Sequence, residues 1–301
     1  MSKHGSKISG VWAAIITPFQ NDGTLDLGGV KAIVDYMIDA KLEGVLVAGN
    51  TGEFTQLSID ERKLLVKTAC EAANGKIKVL ASSCAHWTEG TLDYIRYFDS
   101  IGLDYHLINP PYDTPTSDQG VVDYSEEVAQ AAEAGIVIHN HEGFPGAYLS
   151  PELIAKISKI SNMAGVKDVA PFEHNSKTLE AVKAAGTHDT FGVVSANERT
   201  ILAGFSIGLD GTMGVASMVA PKYVKQIYDS IAANDVHTAR ALQEKIDPVY
   251  ESVSVTPFPG CLKVGVELLG LSAGAPRRPH ALAPAGTKEK LRKVFRQADL
   301  I

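Results

Sequence analysis

Residues 163–170, MAGVKDVA, place Lys167 inside a short apolar run. Lysine is almost never fully buried without a partner. Burial penalises the ammonium and raises the fraction of free amine near neutrality. A dry free amine is the nucleophile that Schiff-base chemistry on a carbonyl needs. The plainer reading is a strand-end lysine paired with Asp168 or another carboxylate. Three further stretches carry chemistry of their own. In AGNTGEF (48–54), two glycines flank Asn50 and Thr51, and the free N–H groups of such a turn hold a carboxylate or phosphate. The alternative is a turn chosen for geometry alone. In HNHEG (139–143), His139 and His141 share one face of a strand and suit a divalent metal, with Glu53, Cys84, His86 and Glu142 as further donors. Two histidines at a strand end equally serve as polar lining. Tyr112 in NPPYDTPT is a proline-framed loop aromatic, suited to proton transfer or to packing on a rim.

The elements that must position these residues follow from periodicity. Residues 11–19 read as a strand and 27–40 as a helix with Val30, Ile33, Val34, Met37 and Ile38 on one face. A strand at 44–49 precedes a helix opened by Ser58, with Glu61 completing a capping box, and running through Ala73. Strand 78–84 is followed by helix 88–100, strand 105–111 by helix 118–134, and strand 136–141 by a helix with Ser150 as cap and Pro151 at its first position. Three more strand–helix pairs follow, making eight before about residue 235. Near-continuous apolar strands alternating with helices predict a parallel sheet covered by helices. Eight units predict a closed (β/α)8 TIM barrel over residues 1–235, and residues 236–301 predict a C-terminal helical extension. No GxGxxG turn follows the first strand, which argues against an open dinucleotide-binding sheet.

Barrel active sites lie at the C-terminal strand ends. That rule selects Asn50, Thr51 and Glu53 after the second strand, Cys84 and His86 at the third, and Tyr112 after the fourth. His139 and His141 follow at the fifth, Lys167 and Asp168 at the sixth, and Ser195 and Asn197 at the seventh.

The chain has 301 residues, 45% hydrophobic and 21% charged, with a net charge of −7. A negative balance argues against a nucleic-acid or membrane partner. Cys70, Cys84 and Cys261 are odd in number and form no CxxC, which suits a reducing cytosol. The start, MSKHGSKISG, has no apolar core of a secretory signal, and no apolar run reaches the roughly 20 residues that span a bilayer. A cytoplasmic protein is expected.

Taken in order, AGNTGEFTQLSIDER, INPPYDTPT, IVIHN and GVKD, with TPFQNDGTLD, DGTMGVASMVAP and GLSAGAPRRPHALAP around them, resemble the dihydrodipicolinate synthase / N-acetylneuraminate lyase superfamily. The resemblance covers nearly the whole chain. It implies a class I lyase acting on pyruvate or another 2-oxo acid without a cofactor or metal, assembled as a homotetramer, a dimer of dimers. It makes Lys167 the imine-forming lysine, Tyr112 part of a proton relay, and Asn50, Thr51, Gly52 and Met213 substrate-binding positions. His139 stands where the superfamily has a second catalytic tyrosine, Asn50 where it often has Thr or Ser, and Phe144 about where the synthases have an arginine for a second carboxylate. A phenol titrates near 10 and an imidazole near 6.5, so His139 retunes the relay toward accepting a proton. The expected activity is an aldolase or dehydratase of a 2-oxo acid such as a 2-keto-3-deoxy sugar acid. The alternatives are 4-hydroxy-tetrahydrodipicolinate synthase, a degenerate barrel that binds 2-oxo acids, and a metal-dependent lyase using His139 and His141.

Overall fold

A computed structural model describes residues 6–112, 116–143 and 148–301. Eight strands, β1 (Gly10–Ala14), β2 (Gly44–Val47), β3 (Lys78–Ser82), β4 (Tyr105–Ile108), β5 (Gly135–His141), β6 (Met163–Val169), β7 (Gly192–Ser195) and β8 (Gly211–Gly214), bond in chain order into a closed barrel. The interleaved helices are α1 (Leu27–Asp39), α2 (Ile59–Ala73), α3 (Thr88–Ser100), α4 (Asp118–Ala131), α5 (Pro151–Ile157), α6 (Phe172–Ala184) and α7 (Ile201–Ile207). After β8 come α8 (Ala216–Val219), α9 (Pro221–Ala232), α10 (Val236–Val253), α11 (Gly260–Leu268) and α12 (Thr287–Gln297). The (β/α)8 barrel expected from the strand–helix alternation is the fold. No helix among the described residues is long and apolar enough to cross a membrane.

Local sequence sets several boundaries. The Ser58–Glu61 capping box opens α2, and Ser150 caps α5 with Pro151 at the first helical position. Helix α4 stops at Ala131, three residues short of the expected end, because the Glu133 and Ala134 amides donate to the Asp99 carboxylate instead of continuing the helix (2.9 and 3.1 Å). Strand β1 ends at Ala14 although its apolar run continues, since Phe19 bridges antiparallel to Leu25 and the chain turns.

The chain divides into two compact units. One holds the segment up to Gly10 together with Leu80–Met213. Its core packs Ile136, Ile138 and Val166 of β5 and β6 with Leu153, Ile154 and Ile157 of α5 and Leu179 and Val182 of α6. Strand side chains alternate between faces, so the even-numbered residues of β5 and β6 lie under the helices. Beyond the register shift at Ile136 and Val137, the odd-numbered residues His139, His141 and Lys167 turn to the inner face of the sheet. The other unit joins Val11–Val79 to Gly214–Ile301, so the first two βα units share a core with the C-terminal helices.

Candidate active site

The register of β5 on β6 pairs His139 with Lys167 and Asn140 with Asp168. Lys167 is 6% exposed and His139 1%. The Lys167 ammonium group donates to His139 Nε2 at 3.4 Å, and His139 Nδ1–H donates to Asn109 Oδ1 at 3.0 Å. Asn109, one residue beyond β4, is itself buried, and its backbone N–H donates to Cys84 Sγ at 3.1 Å. Burial brings the Lys167 pKa down to about 8, against the opposing pull of Glu198 and Cys84. Burial, then the Lys167 charge, then His141 hold His139 well below the ordinary imidazole range. At neutral pH the pair is therefore a readily deprotonated amine beside a neutral imidazole.

Lys167 makes no ion pair with Asp168. Adjacent strand residues point to opposite faces, and Asp168 lies on the helix side. There its carboxylate accepts from Asn140 Nδ2 (2.7 Å), from His174 Nδ1–H (3.1 Å) and from Thr178 Oγ1–H (3.3 Å). His174 also donates from Nε2 to the Leu149 carbonyl (3.0 Å), while Asn140 Oδ1 accepts the Leu149 N–H (2.7 Å). Burial opposes a charged His174, yet the Asp168 hydrogen bond and charge raise its pKa overall. This network braces the chain at Leu149 and leaves Lys167 unneutralised by its neighbour.

The two histidines of β5 do not form the metal pair that their spacing allows. Their ring centroids lie 5.3 Å apart in an edge-to-face arrangement. Both nitrogens of His139 are engaged, and His141 Nδ1 accepts the Gly143 N–H at 2.9 Å. Among the described residues no group of three or more His, Cys, Asp or Glu is placed to hold a metal ion. Tyr112 packs its ring 5.1 Å from that of His86. Met213 is buried on β8, and Ser195 Oγ donates to Asn175 Oδ1 (2.8 Å) while accepting the Asn197 N–H (3.1 Å). Phe144 lies outside the described residues.

In the other unit, the Asn50–Thr51–Gly52 turn sits between two non-glycine residues in left-handed conformation, Ala48 (φ 52°) and Glu53 (φ 57°). Such strain persists only where surroundings enforce it. Here Thr17 Oγ1 donates to the Gly52 carbonyl at 2.6 Å, inside the core. A Cβ on Gly52 would come within 3.1 Å of the Ala48 Cα and N, so glycine lets the turn close on itself. Glu53 is buried against Lys263 (2.8 Å), and its second oxygen accepts the Arg277 N–H (2.7 Å). Lys263 is 2% exposed and also donates to the Thr17 carbonyl (2.9 Å), beneath the Phe19 ring.

Asn109 and Glu198 escaped the sequence reading. Asn109 stands at a strand end, where the barrel rule would have found it, but NPPY draws the eye to its tyrosine. Glu198, three residues after β7, is fully buried and acts electrostatically on Lys167. A third set has the look of chemistry without access to it. Ser83 Oγ lies 2.8 Å from His106 Nδ1, and His106 Nε2 lies 2.9 Å from Asp99 Oδ1. Ser83 and His106 are fully buried, and His106 stacks on Phe98 of α3, so this triad ties strand to helix.

The family model of the Dihydrodipicolinate synthetase family matches residues 7–298. The chain belongs to the dihydrodipicolinate synthetase family. It is 30% identical to the 4-hydroxy-tetrahydrodipicolinate synthase of Methanospirillum hungatei over 293 residues, 96% of this chain and 99% of that one. It is 30% identical to the protein of that name from Methanopyrus kandleri, over 99% of this chain and 98% of the other. The dihydrodipicolinate synthase structure from Thermotoga maritima superposes with a TM-score of 0.92 at 29% identity, covering 98% of this chain and 99% of that one. A monomeric dihydrodipicolinate synthase variant superposes with a TM-score of 0.92 at 28% identity, covering 98% of each chain. Membership in the dihydrodipicolinate synthetase family makes the chain an enzyme, a lyase.

Proposed function

We propose that this dihydrodipicolinate synthetase-family enzyme is a Schiff-base-forming aldolase or dehydratase acting on pyruvate or a 2-oxo acid such as a 2-keto-3-deoxy sugar acid. The buried Lys167 amine, with its nitrogen on His139 Nε2, carries the reading. With a pKa of about 8, Lys167 is a free amine in about a tenth of molecules at pH 7. That amine attacks the 2-oxo carbon, forming the C–N bond and placing the carbonyl electron pair on oxygen. One proton passes from nitrogen to that oxygen, and the proton given up when the ammonium became the free amine is returned to it. The oxygen leaves as water, and a protonated imine remains. Loss of a C3 proton gives the enamine that expels a C4 hydroxyl. Breaking C3–C4 instead, as the C4 hydroxyl gives up its proton, releases an aldehyde and leaves the enamine of the shortened 2-oxo acid. His139 and Tyr112 carry the protons, and Asn50, Thr51, Gly52 and Met213 bind the substrate, the turn amides taking its carboxylate. No cofactor or metal takes part. A cytoplasmic homotetramer is the working assembly, and sedimentation should report four copies of the chain.

Borohydride added to protein with pyruvate should leave a reduced adduct on Lys167, located by mass spectrometry, and none on Lys167→Ala. Protein that binds pyruvate yet leaves Lys167 unmodified refutes the covalent step. The names of the relatives favour a second reading, 4-hydroxy-tetrahydrodipicolinate synthase itself. Turnover of pyruvate with aspartate semialdehyde in a coupled assay decides between the two.

A further inference from the structure

We propose that Asn109 is a positioning residue for His139, whose side-chain oxygen keeps the ring hydrogen on Nδ1 and so presents the bare Nε2 lone pair to the Lys167 nitrogen. The geometry states this atom by atom. Asn109 Oδ1 accepts at 3.0 Å and has no hydrogen to give, so Nδ1 carries one. A neutral imidazole has a single ring hydrogen, so Nε2 is bare, and it is the atom 3.4 Å from Lys167 Nζ. Asn109 is fixed in turn through its own backbone, by the Cys84 sulfur.

The arrangement is maintained at a cost. Asn109 Nδ2 is buried and has no hydrogen-bond partner among the described residues. An orphaned buried donor is destabilising, and an apolar residue of similar shape would pack without that penalty. The amide oxygen is the part in use.

The role rests on the Schiff-base reading. In going from ammonium and ketone to protonated imine and water, two hydrogens must move from nitrogen to the departing oxygen. Nε2 takes one from Lys167, and His139 becomes an imidazolium whose Nδ1–H stays on Asn109. The other passes from nitrogen to the carbonyl oxygen on attack and makes it a hydroxyl, which Nε2–H then protonates. The ring returns to its starting tautomer with nothing gained or lost. With the hydrogen on Nε2, that atom could not accept a proton. Among the described residues, the groups that act electrostatically on the pair are His141 of β5, Cys84 beyond β3 and Glu198 beyond β7.

Two substitutions separate positioning from packing. Asn109→Asp keeps an acceptor at Nδ1 and adds a charge that favours the imidazolium. Asn109→Leu keeps the branched shape and removes the acceptor. We expect Asn109→Leu to lower the rate of borohydride-trappable imine formation by about tenfold to a hundredfold, with KM little changed. Asn109→Asp should retain most of the rate and move the acid limb of kcat/KM to higher pH. A packing role predicts the reverse order, because a buried carboxylate is tolerated worse than a leucine. The tautomer is measured directly on wild-type protein with 15N-labelled histidine, His139 being assigned by its loss in His139→Gln. Nitrogen shifts of an Nδ1–H tautomer support the assignment. An Nε2–H tautomer overturns it, as does an unchanged rate and pH profile in Asn109→Leu. Should no 2-oxo acid give an adduct, the Schiff-base reading fails, and the nitrogen shifts still decide what Asn109 does to His139.

Discussion

Lys167 is held in a state the fold does not favour. Its pKa lies near 8 inside the folded chain, against an ordinary value of 10.5, because burial leaves the ammonium without water. Between those two values the unfolded chain binds a proton that the folded chain releases, so stability rises with pH across that window. Below pH 8 the whole cost is present, roughly 3 kcal/mol from the displacement of the pKa. Lys167→Met keeps the length and removes the charge. It should therefore abolish adduct formation and raise stability at pH 7 by up to about 3 kcal/mol, a gain that shrinks toward zero by about pH 11. Denaturant midpoints of the two proteins at pH 7 and pH 10.5 check this. Equal midpoints at both pH values would mean that the lysine is better solvated than its burial implies. Asp168 shows the converse, since its three side-chain donors satisfy the carboxylate locally and draw it away from Lys167.

At the scale of elements, sequence told most where a signal is local. The capping box of α2, the Ser150–Pro151 start of α5 and the eightfold alternation all rest on residues within a few positions of one another. The end of α4 was not legible, because Asp99, more than thirty residues earlier, takes the amides that would have continued it. The same divide runs through the site. Lys167 and His139 could be named from strand position, whereas the bond between His139 and Asn109 depends on which face of β5 meets the end of β4. The Asn50–Gly52 turn illustrates how an element is held from outside itself. Its Gly52 carbonyl depends on the Thr17 hydroxyl beyond β1. Thr17→Val preserves shape but leaves that carbonyl unsatisfied, at a cost of about 1–3 kcal/mol. With the turn loosened, KM for the 2-oxo acid should rise several-fold while kcat changes less. A steady-state comparison in which KM is unmoved would detach the turn from substrate binding.

At the scale of the whole molecule, the feature least visible in sequence is the ion pair between Glu53 and Lys263, 210 positions apart. Both lie in the unit formed by the first two βα repeats and the C-terminal helices. Lys263 Nζ also reaches the Thr17 carbonyl, and the Arg277 N–H reaches the other oxygen of Glu53. The segments that carry Thr17 and the strained turn are thus clamped by residues from the end of the chain. Two charges taken out of water gain little net energy when paired, but removing one strands the other. Lys263→Met should therefore cost about 3–5 kcal/mol. Adding Glu53→Gln to it should restore much of that loss, because the stranded carboxylate disappears along with its partner. A chain ending at residue 235 lacks both Lys263 and Arg277, and it should not give a cooperative unfolding transition. Chemical denaturation of the single, double and truncated proteins tests the clamp as a unit. If Lys263→Met and the double variant unfold at the same denaturant concentration, the carboxylate was never dependent on its ammonium, and the C-terminal helices hold the turn by packing alone.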